Sequence, residues 1–214
     1  TIVLALVFAA MLFAAGLSYK IVVGVLAVCV PTFFIVLTLI IQDKFPFIHS
    51  YQLGRIMGWL YPDKYPDIAY QQQNSIMAIG SGLLWGKGLG NTDPTSVKNG
   101  KFILEPQNDF IYTIVCEELG YIGAVAVIVL FGLLVWRGYV IAMRAPDRFA
   151  QLTAIGISSK IALQVLLNIA VVTNSIPNTG ISLPFFSYGG TAMVVQLIEV
   201  GTLLAISRYT VEKK

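Results

Sequence analysis

Long apolar runs constrain this chain more than any other feature of its sequence. A helix needs about 20 mostly apolar residues to cross the hydrocarbon core of a bilayer. Five stretches qualify: residues 1–17, 21–41, 110–136, 152–173 and 190–207. Because backbone amides and carbonyls find no water inside lipid, such runs must fold as helices. The sequence therefore predicts an all-α integral membrane protein, a polytopic bundle of about five transmembrane helices.

The composition supports a membrane protein and excludes other classes. Charged residues make up 12% of the chain and hydrophobic residues 57%, whereas a soluble domain carries about 25% charged residues. The net charge of +3 is spread along the chain, without the basic block that is typical of nucleic-acid binding. Cys29 and Cys116 both lie in apolar stretches, which favours two buried hydrophobic residues over a disulfide or a metal site.

Short connections between the spans indicate the orientation, because cytoplasmic loops are enriched in Lys and Arg. If the spans alternate, the basic residues of the short connections all fall on one side: Lys20, Arg137, Arg144, Arg148, Arg208, Lys213 and Lys214. The connection 174–189, on the other side, has neither Lys nor Arg. We therefore predict that residues 137–151 lie in the cytoplasm, and that residues 42–108 form a large extracytoplasmic loop on the same side as residues 174–189.

The long outer segment is rich in aromatic residues and glycine. Residues 68–84 fit a short amphipathic helix at the membrane interface, with Trp59, Trp85 and tyrosines as anchors. The stretch GSGLLWGKGLG (residues 80–90) fails the pattern of a phosphate-binding loop, because Gly88 stands where Ser or Thr would bind magnesium. Its glycines instead indicate a backbone that closely approaches a ligand or another helix.

The segment NSIPNTGISLPFFSYGGTA (residues 174–192) is uncharged and rich in turn-forming residues. Exposed phenylalanines are a liability in water, so Phe185 and Phe186 are expected to return into the membrane. Residues 174–189 are therefore predicted to form a re-entrant outer loop that packs against the outer ends of the spans. Such a loop could help to line a cavity that faces lipid.

Polar residues inside the predicted spans need partners. Lys160, Gln164 and Asn168 are four residues apart and therefore share one face of a helix. A buried ammonium in a bilayer normally faces the bundle interior with a partner. Neighbouring runs offer three carboxylates as partners: Glu117, Glu118 and Glu199. A structural ion pair is the leading interpretation of Lys160, and a direct role in substrate binding is the alternative.

Three ordered motifs give the chain its resemblance to a known family. They are YQQQNSIMAIGSGLLWGKGLGN, EPQNDFIYTIVCEELGYIG and NTGISLPFFSYGGTAMVVQLIEVGTLLAISR. All three resemble motifs of the SEDS family of cell-wall proteins, which includes RodA, FtsW and SpoVE. Leu104, Gln107 and Tyr112 depart from the family pattern, but none of these departures removes a carboxylate. Because family members have ten spans, the resemblance implies that this chain corresponds to their C-terminal half, spans six to ten.

The resemblance implies a peptidoglycan glycosyltransferase in the bacterial cytoplasmic (inner) membrane, with its active site on the outer face. Such enzymes polymerise lipid II and release undecaprenyl pyrophosphate, usually with a class B penicillin-binding protein and other elongation or division proteins. Cell elongation, division and sporulation all stay open as roles of the full-length protein. The alternatives are a lipid II flippase or another transporter, and a non-catalytic scaffold for a penicillin-binding protein. No span looks broken in the manner of a transporter, which argues against the first alternative.

A positioned carboxylate is the chemical group that this reaction needs most. The attacking sugar hydroxyl is a poor nucleophile at neutral pH, so a carboxylate at the outer membrane boundary is expected to take its proton. Asp109 meets this requirement, and the resemblance carries the family's essential aspartate onto this position. Partial desolvation there is expected to raise its pKa. Glu105, one turn earlier, either orients the acceptor, binds a divalent cation or is a solvated loop acid.

Other residues are predicted to support the reaction or the fold. Four cations of the outer segment could neutralise the leaving pyrophosphate, although each lysine could also be a solvated loop residue: Arg55, Lys87, Lys98 and Lys101. A Mg²⁺ or Mn²⁺ ion could do the same, and no tightly bound cofactor is expected. The matching C-terminal motif adds three supporting residues: Ser187, Tyr188 and Gly189. A structural role inside the membrane is assigned to the remaining polar residues: Glu117, Glu118, Lys160, Gln164, Asn168 and Glu199.

The orientation can be tested by labelling single cysteines in a full-length protein without its other cysteines. Asp93→Cys should react with a membrane-impermeant maleimide from outside the cell, and Asp147→Cys should react only from the cytoplasmic side. The physical reason is the excess of basic residues in the short connections on the side of residue 147. Labelling from the cytoplasm at position 93 but not at position 147 would reverse the topology.

Overall fold

The regular structure of this chain is helical throughout the part that the computed structural model describes. That part comprises residues 2–18, 50–90 and 106–209, together with residues 20–21, 23–25, 27–28, 31–32, 35, 38, 92, 94, 96–100 and 102–103. Seven helices follow one another in it: α1 (Ile2–Ala14), α2 (Ser50–Leu60), α3 (Pro66–Ser81), α4 (Val97–Gly100), α5 (Ile111–Met143), α6 (Arg148–Val172) and α7 (Gly190–Arg208). The predicted all-α fold is confirmed.

Three of these helices are long and apolar enough to cross a membrane: α5, α6 and α7. Two of the predicted runs match helices closely, since 152–173 and 190–207 differ from α6 and α7 by at most four residues at either end. Helix α5 continues seven residues past the predicted end at 136. The predicted first span corresponds to α1, which is shorter, and most of the predicted span 21–41 lies outside the described residues.

Helix α6 lies at the centre of the bundle. It packs against α5 most extensively and also contacts α1, α3 and α7. A connection of only four residues joins α5 to α6, so the two helices run antiparallel, and the Asp147 carboxylate caps α6 by accepting a hydrogen bond from the Ala150 N–H at 2.7 Å. The buried core between α5 and α6 includes Phe131, Ile161 and Val165.

Helix α5 is broken near its start. Gly120 has φ 65° and ψ −167°, a non-helical conformation inside the helix. The sequence showed no span broken in the manner of a transporter, and it did not reveal this break. Backbone groups on both sides of the break form hydrogen bonds with the segment that follows α3. There are four of them: Tyr121 N–H to the Leu83 carbonyl (2.8 Å), Ile122 N–H to the Leu84 carbonyl (3.3 Å), Lys87 N–H to the Glu117 carbonyl (2.9 Å) and Gly88 N–H to the Glu118 carbonyl (3.0 Å).

Glycines allow the two backbones to meet at this break. A Cβ on Gly82 would overlap the Cys116 carbonyl oxygen, and a Cβ on Gly120 would overlap the Gly86 nitrogen. Gly86 and Gly120 also have positive φ values, 78° and 65°, which side chains with a Cβ rarely adopt. The glycine-rich stretch is thus a site of close backbone approach to another helix, one of the two alternatives that the sequence left open.

Helix α3 turns its polar face towards the bundle. It begins at Pro66 and ends at Ser81 rather than covering residues 68–84, because proline favours the first turn of a helix. Gln72 donates to the Val171 and Ile176 carbonyls at 3.1 and 2.9 Å. Apolar side chains on the outward face are exposed: Ile68, Tyr70, Ile76 and Met77. An outward apolar face suits a helix at a membrane interface, and its interfacial position stays a prediction.

The predicted anchors of this segment differ in their surroundings. The Trp59 indole N–H donates to the Asn174 carbonyl at 2.9 Å, so this ring ties α2 to the connection between α6 and α7. Trp85 is exposed, as an interfacial anchor would be. The sequence therefore grouped two tryptophans that the fold uses differently.

The buried lysine of α6 has the partner that the sequence predicted. Lys160 forms an ion pair with Glu199 of α7, and both side chains are largely shielded from solvent. The second Glu199 oxygen and the Gln164 side-chain oxygen are buried without a hydrogen-bond partner in the described part of the chain. The pairing with a glutamate is confirmed, and Glu199 is the partner.

Substitution of Gly120 tests the break in α5. In the full-length protein, Gly120→Ala should lower the free energy of unfolding by about 2–5 kcal/mol, since it combines a strained positive φ with overpacking against residues 84–86. Gly132→Ala is the matched control on the same helix, because a Cβ there meets nothing within 4 Å. The control should be neutral or stabilising by up to ~1 kcal/mol. Equal thermal unfolding of both variants in detergent would contradict the tight fit at Gly120.

Removal of the Lys160 charge tests the ion pair. Lys160→Met should mainly reduce the yield of folded protein, because an unpaired Glu199 at this depth costs ~2.5–3.5 kcal/mol on insertion scales. Lys160→Met combined with Glu199→Gln should restore most of the yield, since it leaves no buried charge. The measurement is the monodisperse fraction after purification together with thermal unfolding. A Lys160→Met protein with normal yield and normal unfolding but no activity would refute a structural role.

Candidate functional site

Asp109 lies in the turn that leads into α5, at the end of the bundle where α6 ends and the connection 174–189 runs. Three consecutive backbone carbonyls before α5 each accept a hydrogen bond from that side: the Gln107 carbonyl from the Tyr188 N–H (2.9 Å), the Asn108 carbonyl from the Ser187 hydroxyl (2.6 Å) and the Asp109 carbonyl from the Asn168 amide (2.8 Å). The backbone that carries the Asp109 side chain is therefore fixed from two directions, by a helix and by a loop.

The Asp109 carboxylate faces a turn of the connection and a cation of α2. A Cβ on Gly180 would lie 3.5 Å from Asp109 Oδ2 and 3.7 Å from Arg55 Nη1. Arg55 Nη1 also donates to the Asn178 carbonyl at 2.9 Å. Gly180 adopts φ +68° and its N–H donates to Asn178 Oδ1 at 3.0 Å. The turn at residues 178–180 therefore brings bare backbone next to both charged groups.

Burial raises the pKa of the Asp109 carboxyl above its ordinary value, and the positive charge of Arg55 only partly offsets this effect. A carboxylate acts as a general base only in its ionised form. A reaction that depends on Asp109 as a base should therefore lose its rate as the pH falls through this raised pKa, at a higher pH than an ordinary aspartate would give. The direction agrees with the one expected from the sequence.

Lys87 and Glu117 form a separate cluster inside the break of α5. Lys87 Nζ lies 2.7 Å from Glu117 Oε1, and the Val97 N–H donates to Glu117 Oε2 at 3.0 Å. Glu117 is only 2% exposed and follows Asp109 by eight residues, about 12 Å along a helix. The structure therefore joins Lys87 to a buried structural glutamate and does not bring it beside Asp109. Glu118 contributes its carbonyl to the same junction.

The remaining predicted site residues divide into three groups. Ser187 and Tyr188 contact the Asp109 turn, but Tyr188 does so through its backbone, and the residue is 82% exposed. Gly189 precedes α7, and its carbonyl accepts a hydrogen bond from the Met193 N–H at 2.9 Å. Glu105 and Lys101 lie outside the described residues, as does the side chain of Lys98.

A divalent cation at the site stays a prediction. No group of three or more His, Cys, Asp or Glu residues that could hold a metal occurs within the described residues. Mg²⁺ in such sites is usually bound through one or two carboxylates together with substrate phosphates. The residue suggested as a ligand from the sequence, Glu105, is not among the described positions.

Two contributors to the site were not recognised in the sequence. Asn168 was grouped with Lys160 and Gln164 as a structural residue, yet its amide donates to the Asp109 carbonyl. Its place in the last turns of α6 was the available signal, since it puts the side chain at the depth of the turn before α5. Asn178 was treated as a turn-forming residue, and its carbonyl accepts from Arg55. Nothing in the sequence indicates that contact.

Comparison with known proteins assigns the chain to a family. The family model that covers FtsW, RodA and SpoVE, described as a cell cycle protein, matches residues 1–212. The chain belongs to this family. It is therefore a member of the group that its three sequence motifs resemble, and of a family of polytopic membrane proteins.

Individual relatives support the assignment. The chain is 46% identical over 161 residues to stage V sporulation protein E of Bacillus subtilis (strain 168), covering 75% of this chain and 43% of that protein. It is 36% identical over 216 residues to the probable peptidoglycan glycosyltransferase FtsW of the same organism, covering 99% and 53%. The chain thus spans about half the length of the curated relatives that it matches.

A solved structure has a similar fold. A chain of a peptidoglycan synthase complex, in a study of the structural coordination of polymerization and crosslinking, matches with a TM-score of 0.71 and 25% identity. The match covers 99% of this chain and 56% of that chain. In this family member, the matching motifs meet in pairs: the glycine-rich motif with the break after Glu117 and Glu118, and the C-terminal motif with the turn that carries Asp109.

Proposed function

We propose that the full-length protein is a peptidoglycan glycosyltransferase that polymerises lipid II, with Asp109 as its general base. The observation that carries the proposal is the fixed turn at residues 107–109, which holds a carboxylate of raised pKa beside Arg55. Similarity to proteins named probable peptidoglycan glycosyltransferase FtsW, over up to 99% of this chain, supports the same reaction.

In the proposed reaction, a sugar hydroxyl of one lipid-linked disaccharide attacks the anomeric carbon of another. Asp109 accepts the hydroxyl proton as the new glycosidic bond forms, and the bond from the anomeric carbon to the phosphate oxygen breaks with its electron pair. Undecaprenyl pyrophosphate leaves, and the proton is later lost to solvent. Partial burial suits Asp109 to this task, since a base whose pKa lies nearer to neutral pH accepts a proton more readily.

Arg55 is proposed to bind negative charge during the reaction. Its guanidinium adjoins the Asp109 carboxylate across Gly180, and a fixed cation near the reacting centre stabilises charge that develops on a leaving phosphate. Of the cations suggested by the sequence, Lys87 is held by Glu117. Arg55 is therefore the stronger candidate for the leaving pyrophosphate within the part of the chain that the structure describes.

The cellular setting is proposed from the same relationships. The site would lie at the outer face of the bacterial cytoplasmic membrane, where the basic connections of the sequence place residues 174–189. A class B penicillin-binding protein is the proposed partner, supported by the similarity to a chain of a complex that coordinates polymerization and crosslinking. Both a sporulation protein and division-type relatives match, so elongation, division and sporulation all stay open.

A transporter of lipid II is the second candidate, because α5 is broken at Gly120. Transporters bind substrates at broken helices. Here, however, residues 83–88 bond to the free backbone groups on both sides of the break, so little of that backbone is left to line a substrate path. Formation of glycan polymer by the purified full-length protein, without another polymerase, separates the two candidates. Movement of labelled lipid II across vesicles without polymer would favour the transporter.

Substitution of Asp109 tests the proposed base. Asp109→Asn in the full-length protein should leave expression and membrane insertion near normal, because a half-buried boundary carboxylate contributes little to folding. Lipid II polymerisation should fall by roughly 10²–10⁴-fold, since Asn keeps the shape but cannot accept the proton. The measurement is glycan polymer formed from purified lipid II, resolved by length on a gel.

Asp147→Asn is the matched control for this experiment. Asp147 caps α6 at the opposite end of the bundle, and Asn caps a helix about as well as Asp. The control should therefore polymerise lipid II at the rate of the unmodified protein. A near-normal rate from Asp109→Asn would refute the assignment of the base, and Glu105→Gln would then be the next variant to measure.

A further inference from the structure

We propose that Asn168 is a positioning residue for the reaction, which sets the location of the Asp109 carboxylate by holding the backbone on both sides of it. The inference rests on the proposed function, in which Asp109 is the base. It also has consequences for Asp109 that do not depend on any activity.

The side-chain amide of Asn168 donates two hydrogen bonds, both to backbone carbonyls. Asn168 Nδ2 donates to the Asp109 carbonyl at 2.8 Å and to the Ile181 carbonyl at 2.7 Å. Its other polar atom, Oδ1, is buried without a hydrogen-bond partner among the described residues. Asn168 itself is 0% exposed. Burial of an amide costs free energy unless the amide is hydrogen-bonded. The two donated hydrogen bonds are therefore what stabilises Asn168 at this buried position.

These two carbonyls belong to the two segments that enclose the carboxylate. Asp109 ends the turn before α5, and Ile181 directly follows Gly180, whose backbone adjoins Asp109 Oδ2. The two residues are 72 positions apart in the sequence, and a single nitrogen joins them. Because Asn168 lies on α6, the amide fixes both segments to the central helix of the bundle.

Loss of this link should change the surroundings of Asp109 in a predictable direction. Burial is the larger influence on the Asp109 pKa and raises it, whereas Arg55 on α2 lowers it. The connection 174–189 contains no Lys, Arg, Asp or Glu, and α6 presents the neutral Asn168. A turn released from α6 exposes the carboxylate to water, so the pKa of Asp109 should return towards that of an ordinary aspartate.

Two substitutions at position 168 and one matched control form the experiment. Asn168→Leu removes both donors and keeps a side chain of four heavy atoms branched at Cγ. Asn168→Ser protects against a failure to fold, because a helical serine can bond to the carbonyl four residues earlier, as Ser158 does to Ala154 at 2.7 Å. Gln72→Leu is the control: Gln72 is a 5% exposed amide that also donates to two carbonyls, those of Val171 and Ile176, and neither belongs to the Asp109 turn.

Two measurements are made on each full-length variant. The first is kcat and the pH dependence of kcat/KM for lipid II polymerisation, of which the acid limb reports the ionisation of the base. The second is labelling of Asp109 by a hydrophobic carbodiimide, followed by mass spectrometry over a pH series. Carbodiimides react with protonated carboxyls, so the labelling midpoint reports the pKa of Asp109 without any need for substrate.

The expected result distinguishes a positioning role of Asn168 from a contribution to folding stability alone. Both substitutions of Asn168 should lower kcat by up to ~10²-fold, the cost of a small misplacement of a catalytic group, with little change in KM. The acid limb and the labelling midpoint should both move to lower pH. Gln72→Leu should lower the unfolding temperature to a similar extent and leave kcat, the acid limb and the midpoint unchanged.

The results that would overturn the positioning role differ from those that would overturn the proposed function. An unchanged labelling midpoint in both Asn168 variants would overturn the positioning role, and so would an equal shift in Gln72→Leu. If the unmodified protein makes no polymer while its labelling midpoint still falls on Asn168 substitution, the proposed function fails and the placement of Asp109 by Asn168 stands.

Discussion

Residues 83–88 bond to the backbone of α5 on both sides of its break at Gly120. The position of the first part of α5 depends on this junction. A helix inside lipid cannot leave amides and carbonyls without partners. Here the carbonyls before the break and the amides after it are bonded to a second segment by four hydrogen bonds. The same segment places Lys87 against the buried Glu117. These bonds hold the first part of α5, which follows the turn that carries Asp109, against the segment after α3.

The site then depends on the neighbouring end of the bundle. Ser187, Tyr188 and Asn168 donate to three successive carbonyls before α5. Helix α6 and the connection 174–189 thus share the task of fixing the turn, while Arg55 comes from α2 and adjoins the carboxylate. Elements far apart in the sequence meet at Asp109. They bond to the backbone of its turn and not to its side chain. This arrangement leaves the carboxylate oxygens facing Gly180 and Arg55.

Sequence patterns predicted the parts of the fold that depend on local composition. The existence of α6 and the pairing of Lys160 with a glutamate follow from apolar length and from the cost of a buried charge. The break at Gly120 was missed, because one glycine in an apolar run is tolerated in membrane helices and the residues that bond to the break lie 30 to 38 positions earlier. The contacts of the polar face of α3 were not predicted, for a similar reason. Its polar face bonds to α6, a contact that no local pattern encodes.

The two kinds of acidic residue in the motif around α5 differ in a way that explains their roles. Glu117 is buried, and its oxygens accept from Lys87 and from the Val97 N–H. Both oxygens of Glu117 are therefore engaged by a cation and a backbone amide in the interior of the protein. Asp109 is partly buried at the mouth of the bundle, and burial outweighs the charge of Arg55 in setting its pKa. Of these two carboxylates, Asp109 is the partly exposed one, since Glu117 is enclosed in protein. Partial burial that outweighs the charge of Arg55 is the feature that suits Asp109 to the proposed role of base.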